Sequence, residues 1–271
     1  MERSTEEIPT GEDWGKLEMG SRRTDQFIRS LTLNRAEVPS FLEYPFNLAA
    51  IRNLETLSFH PQVTFIVGEN GSGKSTILEA IAVAYGFNPE GGTKNFNFSS
   101  KATHSRLNNY IRLVKGLKKP EDGFFLRAES FYNLATNIDE LDSAPSFGPP
   151  LINSYGGRSL HEQSHGESFF AVFQNKFRGN GIYILDEPEA ALSPSRQMSM
   201  IARIHELVGQ GSQFIIATHS PIIMAYPQAC IYEIQEGFES VKYEETEHYQ
   251  IMKVFLNNTK KMLAILMEDL K

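Results

Sequence analysis

The segment Gly68-Glu69-Asn70-Gly71-Ser72-Gly73-Lys74-Ser75 restricts what this chain can fold into more than any other. It fits G-x-x-x-x-G-K-[ST], a pattern that functions only where a strand turns sharply into a helix. The flanks supply that setting. Val63-Thr64-Phe65-Ile66-Val67 is β-branched and aromatic, and Ile77, Leu78, Ile81 and Ala84 recur afterwards at helical spacing. Each residue type has a physical role. The glycines let backbone N–H groups converge on one point, the helix N-terminus adds its dipole, Lys74 adds a cation and Ser75 a hydroxyl for magnesium. The polyphosphate of a nucleoside triphosphate fits that set. A Gly/Ser turn between a strand and a helix with a lysine on its rim is the plain alternative, and the fixed spacing of the two glycines, the lysine and the hydroxyl in that setting outweighs it.

Composition narrows the setting. A chain of 271 residues buries a full core, either as one large α/β domain or as such a domain with a helical insertion. A formal charge of −7 and a pI near 5.6 argue against a surface that coats nucleic acid, so any DNA contact has to be a local basic groove. Cys230 is the single cysteine, which excludes an internal disulfide and a cysteine zinc cluster, and it reads as a small buried hydrophobe in a reducing compartment. No apolar run reaches membrane-spanning length and the first residues lack the apolar stretch of a signal peptide. The expectation is a cytoplasmic protein without an integral membrane segment.

Residues 1–25 are polar, hold the only tryptophan, Trp14, and show no period, so a mobile tail is expected there, with a single domain over 26–271. Residues 27–33 alternate like a half-buried strand, with 54–59 as a partner. Residues 107–117 have helical spacing, 123–128 read as a strand and 138–157 as loop. Strands follow at 181–185, 213–217 and 231–234, the first two being the unbroken apolar runs of a parallel sheet covered on both faces. Helical patterns over 197–208 and 249–270 are expected to cover that sheet.

Three further clusters carry chemistry. Ile182-Tyr183-Ile184-Leu185-Asp186-Glu187 is an apolar strand ending in two carboxylates: Asp186 suits a magnesium shell, and Glu187 is placed to orient or deprotonate an attacking water. An acidic turn capping a strand is the simpler reading, and the position behind a phosphate loop outweighs it. His219, in Thr218-His219-Ser220-Pro221, emerges from the next apolar strand at the carboxyl edge where open α/β sheets bind ligands, with the γ-phosphate as its natural target. Gln163-Ser164-His165-Gly166-Glu167-Ser168 precedes an apolar helical run, which Ser164 would cap.

In that order these motifs resemble the ATP-binding-cassette ATPases, whose signature loop L-S-G-G-Q lies between the phosphate loop and the magnesium strand. The resemblance implies an α/β P-loop NTPase fold with a mostly parallel core sheet, an antiparallel β subdomain and a small helical signature subdomain, roughly residues 130–178. It implies ATP and Mg2+ as cofactors. Glu69, Asn70, Gly71, Ser72, Gly73, Lys74, Ser75 and Thr76 stand where the family holds nucleotide; Ser164 and Gly166 stand at the signature serine and second glycine; Asp186 and Glu187 at the magnesium aspartate and catalytic glutamate; and His219 at the switch histidine. Glu129 falls where the family has its Q-loop glutamine, beside the metal that Ser75 and Asp186 would hold. The resemblance further implies a head-to-tail homodimer with two sandwiched ATP molecules. Departures from the family pattern are Gln163, His165 and Glu167 in the signature loop and Ser193 in place of the D-loop aspartate.

His161-Glu162-Gln163-Ser164-His165 also matches H-E-x-x-H, which requires both histidines on one face of a continuous helix. Gly157 upstream and Gly166 immediately after argue against that helix, so zinc proteolysis is not expected.

The form of the phosphate loop and Glu167 resemble the structural-maintenance-of-chromosomes and RecF-like branch, and the whole chain resembles bacterial stand-alone predicted ATPases. The interval from Lys74 to Ser164 leaves no room for long coiled-coil arms, and the stretch after His219 is too short for a second catalytic domain. The work driven by ATP is then DNA-related or done on a partner protein, with the nucleotide-binding subunit of a membrane transporter as the alternative. Lys115, Lys118 and Lys119 offer either a nucleic-acid contact or a solvated loop, and Tyr44 is a candidate for stacking on adenine.

Overall fold

The computed structural model of the chain describes residues 26–94, 105–143 and 148–268; the N-terminal stretch 1–25 expected to be mobile lies outside them. In chain order the strands are β1 (Ile28–Leu33), β2 (Thr56–Ser58), β3 (Val63–Gly68), β4 (Ile111–Lys115), β5 (Asp122–Arg127), β6 (Gly181–Asp186), β7 (Gln213–Ala217), β8 (Cys230–Ile234) and β9 (Phe238–Val241). The helices are α1 (Ala49–Arg52), α2 (Lys74–Tyr85), α3 (Phe131–Ser143), α4 (His165–Asn175), α5 (Pro194–Gly209), α6 (Pro221–Met224), α7 (Glu247–Asn257) and α8 (Thr259–Glu268).

Side-chain alternation in the apolar strands decides the layering. β5, β6, β7, β3 and β8 lie side by side in parallel, and β9 closes the edge antiparallel to β8. Phe65 and Val67, Tyr183 and Leu185, and Phe214 and Ile216 point to one face, where they pack with Phe131, Leu134, Phe169, Phe173, Met200 and Ile204 from α3, α4 and α5. Ile66, Ile182, Ile184 and Ile215 point to the other, where α2 contributes Ile77, Leu78 and Ile81 and the antiparallel sheet β2-β1-β4 contributes Leu31 and Leu57. A mostly parallel sheet is thus sandwiched between helices and a small antiparallel sheet. No helix among the described residues is long and apolar enough to cross a membrane.

The strands expected at 27–33 and 54–59 pair as β1 and β2, in register at Leu31 and Leu57. Four other expectations change. Residues 107–117 form a 3-10 turn, Arg106–Asn109, followed by β4, because Ile111 and Leu113 fit the antiparallel pairing with Leu33 and Leu31 as well as they fit a helical period. The loop expected from 138 begins later: α3 continues to Ser143, and Asp142 Oδ2 accepts the Ile152 N–H at 2.7 Å, fastening the 3-10 turn Leu151–Tyr155 to it. The pattern over 249–270 breaks at Asn258 into α7 and α8, and these do not cover the sheet: α7 has no buried residue, and Ile251, Leu256, Ile265, Leu266 and Met267 are exposed. Cys230 is half-buried at the start of β8, so it is not a core residue.

One polar side chain joins the two sheets. Gln213, fully enclosed at the start of β7, donates from Nε2 to the carbonyls of Ile28 (2.8 Å) and His60 (3.0 Å), and its Oε1 accepts the N–H groups of Phe27 (3.1 Å) and Ile28 (2.9 Å). Phe27 and Ile28 are buried at the start of β1, so their backbone groups take Gln213 in place of water as a partner. Replacing Gln213 by Leu strands both donors and both acceptors at once, so the Gln213→Leu variant is expected to lose about 3 kcal/mol or more of unfolding free energy in urea titration.

Candidate nucleotide site

β3 ends at Gly68 with φ of 145°, and a Cβ there would sit 3.0 Å from the carbonyl oxygen of Ile234 on β8, so the strand can turn upward only without a side chain. Gly73, with φ of 106°, is the N-cap of α2, and its missing Cβ makes room for Ala50 on α1. Between these glycines the chain wraps around one point at the N-terminus of α2, a 12-residue helix, where free N–H groups and the helix dipole favour an anion. Lys74 folds back over the loop, its Nζ 2.9 Å from the carbonyl oxygens of both Gly68 and Glu69. Burial pulls the Lys74 pKa down while the nearby carboxylates of Glu187, Asp186 and Glu189 pull it up.

β6 delivers the acidic pair. The Ser75 hydroxyl donates to Asp186 Oδ1 at 3.0 Å. β6 is not the neighbour of β3, however: β7 lies between them, flanking β3 with β8, so this contact spans from the start of α2 over the end of β7. Burial pushes the Asp186 carboxyl up to about 6, opposed by the Arg127 guanidinium and by the Ser75 hydrogen bond. Arg127 ends β5 and ties the edge together, with Nη1 2.7 Å from Glu79 Oε2 and Nε 3.5 Å from Asp186 Oδ2. A buried carboxylate beside a hydroxyl and a phosphate-sized loop fits Mg2+, which takes few protein ligands and keeps phosphate oxygens and water. The Ser72 hydroxyl, buried in the same loop with no hydrogen-bond partner, fits a phosphate oxygen as its acceptor.

Glu187 has φ of 52° and ψ of 52°, a left-handed conformation unusual for a residue with a side chain, and its N–H donates to the Ala217 carbonyl at 3.0 Å. Beyond this turn Glu187 Oε1 lies 3.5 Å from His219 Nε2. His219, just past β7, is held through its backbone N–H by Glu189 Oε1 at 2.5 Å. Burial, then Lys74, then His248 hold its pKa below the usual histidine value, against the opposing pull of Glu187. Its Nδ1 is 2.9 Å from Nε2 of His248, on α7. A cavity of about 490 Å3 opens between the phosphate loop and α7, lined by Glu69, Asn70 and His219 on one side and Glu247, His248, Ile251 and Met252 on the other.

Lys74, Ser75, Asp186, Glu187 and His219 therefore share one sheet edge, with Ser72, Gly71, Asn70 and Glu69 along the loop. Thr76 lies one residue further on, its Oγ1 3.5 Å from the hydroxyl of Tyr44, which stands 63% exposed over the first turn of α2. Glu129 follows β5 with its side chain 83% exposed, and its carboxylate is 3.3 Å from Arg127 Nη2. Ser164 and Gly166 form a separate group at the start of α4. The Ser164 hydroxyl donates to Glu167 Oε2 at 2.6 Å and its N–H to the same oxygen at 3.1 Å, and these bonds hold the Glu167 carboxyl below the usual range. His161 lies in a 3-10 turn, Leu160–Glu162, and Gln163 is extended, so no single helix carries the H-E-x-x-H pattern; among the described residues no cluster of metal ligands occurs. Lys115 lies on β4 with its ammonium 4.7 Å from the Tyr85 ring, while Lys118 and Lys119 sit in the exposed turn beyond.

Arg127, Glu189 and His248 join the site without having been singled out by sequence. Arg127 carried a faint signal, a cation ending an apolar strand. His248 carried none, because only the path of the chain through the β8–β9 hairpin brings α7 back to β7. Removing Arg127 leaves Glu79 and Asp186 buried without their cation. Arg127→Met is expected to cost about 3 kcal/mol in urea unfolding, and no loss would show that the cluster is solvated.

A family model described as an AAA domain matches residues 46–143, and one described as an AAA ATPase domain matches residues 164–224. The macrolide export ATP-binding/permease protein of Hahella chejuensis is 23% identical over 215 residues, 70% of this chain and 30% of that protein. A putative ABC transporter ATP-binding protein of Streptomyces coelicolor is 27% identical over 167 residues, 57% of each chain. The chain thus spans between about a third and somewhat more than half of these two relatives. The solved structure of cbiO1 from Clostridium perfringens, part of the ABC transporter complex cbiONQ, aligns over 90% of this chain and 99% of its own at 19% identity with a TM-score of 0.45. The phosphate loop, the buried aspartate, the glutamate after it and the histidine of the adjacent strand thus meet at one sheet edge on a P-loop NTPase fold, and the chain is similar to the ATP-binding parts of ATP-binding-cassette proteins.

Proposed function

We propose that the chain hydrolyses ATP to ADP and phosphate in a head-to-tail pair of copies, in the cytoplasm, and uses the cycle to act on a partner protein. The observation that carries this reading is the 3.0 Å contact of Ser75 with Asp186, followed at once in the chain by Glu187, 3.5 Å from His219. Binding falls to residues Glu69 to Thr76. Their N–H groups and the ammonium of Lys74, exchanging the Gly68 and Glu69 carbonyls for phosphate oxygens, hold the polyphosphate, and Tyr44 offers a ring to the base. Ser75 and Asp186 would hold magnesium, which would neutralise phosphate charge, while Glu129, exposed and paired with Arg127, is the weakest of the expected metal residues. Glu187 accepts the proton of the attacking water on its carboxylate. His219, beside Glu187, offers its ring to the terminal phosphate.

In a paired assembly the signature loop would make the pairing weak. Ser164 spends its hydroxyl hydrogen on Glu167, and the Glu167 carboxylate would face the phosphates of a second copy. Arg196 Nη2, 3.7 Å from Glu167 Oε1, only partly offsets that charge. A low basal turnover follows. Apolar side chains exposed along α7 and α8, in an acidic chain, favour a protein over DNA as the object of the cycle. A transporter subunit is the second reading, favoured by the export and transporter roles in the names of the relatives.

Glu187→Gln is expected to bind ATP, lose roughly 10²–10⁴-fold in turnover and accumulate dimers in light scattering; a strictly monomeric variant at saturating ATP removes the sandwich. Glu167→Gln keeps the helix cap but sheds the charge, so its ATP-dependent dimer is expected at lower protein concentration than that of the unmodified chain. Turnover measured with and without double-stranded DNA is expected to be equal, and strong stimulation would instead assign a genome-handling role.

A further inference from the structure

α7 is fixed at its first turn and free beyond it. The N–H of Glu247 donates to Glu233 Oε1, a buried carboxylate on β8, at 3.0 Å, and the N–H of Tyr249 donates to Thr246 Oγ1 at 3.4 Å, with Thr246 completely enclosed. His248 lies between these two anchors. Its ring is held against His219, Nε2 to Nδ1 at 2.9 Å with the ring centroids 5.0 Å apart. The backbone of His219 is pinned independently by Glu189. Both imidazoles are therefore placed by polar contacts, and the outer nitrogens, Nε2 of His219 and Nδ1 of His248, are buried without hydrogen-bond partners in the chain.

A hydrogen bond between two imidazole nitrogens needs a proton on one and a lone pair on the other. If His219 supplied the proton from Nδ1, its Nε2 would turn a lone pair towards the Glu187 carboxylate 3.5 Å away and towards any phosphate beside it. If His248 supplies it, His219 carries its own proton on Nε2, facing those anions. The second arrangement avoids lone pair against anion and gives the outer nitrogen of His219 a donor to offer.

We propose that His248 is a positioning residue, whose Nε2–H donates to Nδ1 of His219 and so keeps the His219 proton on Nε2, on the Glu187 side where the terminal phosphate lies. The catalytic part of this assignment rests on the hydrolysis reading above; the tautomer does not. A displacement of the first turn of α7 withdraws the donor and releases His219 to the other tautomer, which links the exposed helix pair to the nucleotide pocket.

Long-range 1H–15N correlation of histidine ring nitrogens in the full chain tests the tautomer without nucleotide, and seven histidines, with His219→Gln to identify the signal, keep the spectrum assignable. His219 is expected as the Nε2–H form in the unmodified chain and in His248→Gln, whose side-chain amide restores a donor, and as a mixture in His248→Phe. A His219 proton on Nδ1 in the unmodified chain overturns the proposal whatever the activity. In turnover assays His248→Phe is expected to lower kcat roughly 10–100-fold with little change in KM for ATP, with His248→Gln recovering most of it. Equal kcat in all three proteins overturns the positioning role. An unmodified chain that binds ATP, shows the expected tautomer and never turns over removes the hydrolysis reading and the catalytic consequence, leaving the His248–His219 arrangement standing.

Discussion

Asp186 is a carboxylate removed almost entirely from water, and much of the surrounding structure exists to make that tolerable. Transfer of an isolated carboxylate into a low-dielectric interior costs several kcal/mol even after relaxation. Ser75 supplies a hydrogen bond and Arg127 a guanidinium, and Arg127 in turn is shared with the buried Glu79. Glu79 accepts the Ser105 N–H at 2.8 Å, which anchors the segment leading into β4. The antiparallel sheet, α2 and the edge strand β5 are thereby tied to a single charge. Burial still leaves the Asp186 carboxyl well above its ordinary range, because desolvation outweighs the Arg127 guanidinium and the Ser75 hydrogen bond.

The strain at Glu187 belongs to the same arrangement. A left-handed residue with a side chain costs on the order of 1 kcal/mol, and such residues persist where the surroundings over-determine them. Here the N–H of Glu187 is held by Ala217 at the end of the β6–β7 pairing, and Pro188 starts the next turn. The turn sets the glutamate beside His219 instead of continuing along β6.

Those parts of the fold whose pattern is local were legible in the sequence, and those made by assembly were not. The phosphate loop declared itself through its flanks, and β6 and β7 through unbroken apolar runs that only a doubly covered parallel strand can bury. Strand order was not legible: β7 separates β6 from β3, and nothing in residues 181–186 records which neighbour they acquire. Residues 107–117 satisfied two periods at once, and the pairing with β1 decided between them. Gln213 looked like an ordinary polar residue at the start of a strand, although it holds two sheets together. Of the site, Lys74, Ser75, Asp186, Glu187 and His219 were legible because each sits at a fixed offset from a strand end. Arg127, Glu189 and His248 act through distances set by tertiary packing.

Gly166 is packed tightly inside its own chain. A Cβ on it would lie 2.5 Å from the carbonyl oxygen of Ala191, which ends the 3-10 turn Pro188–Ala191 that Glu187 caps. The start of α4 thus rests directly on the backbone that leads away from Glu187. In the proposed head-to-tail pair, one end of this contact would lie at the copy's own Glu187 turn and the other would face its mate. Under that proposal, a shift of the Glu187 turn in one site would be felt at the start of α4, through the chain's own backbone and without the aspartate that Ser193 replaces.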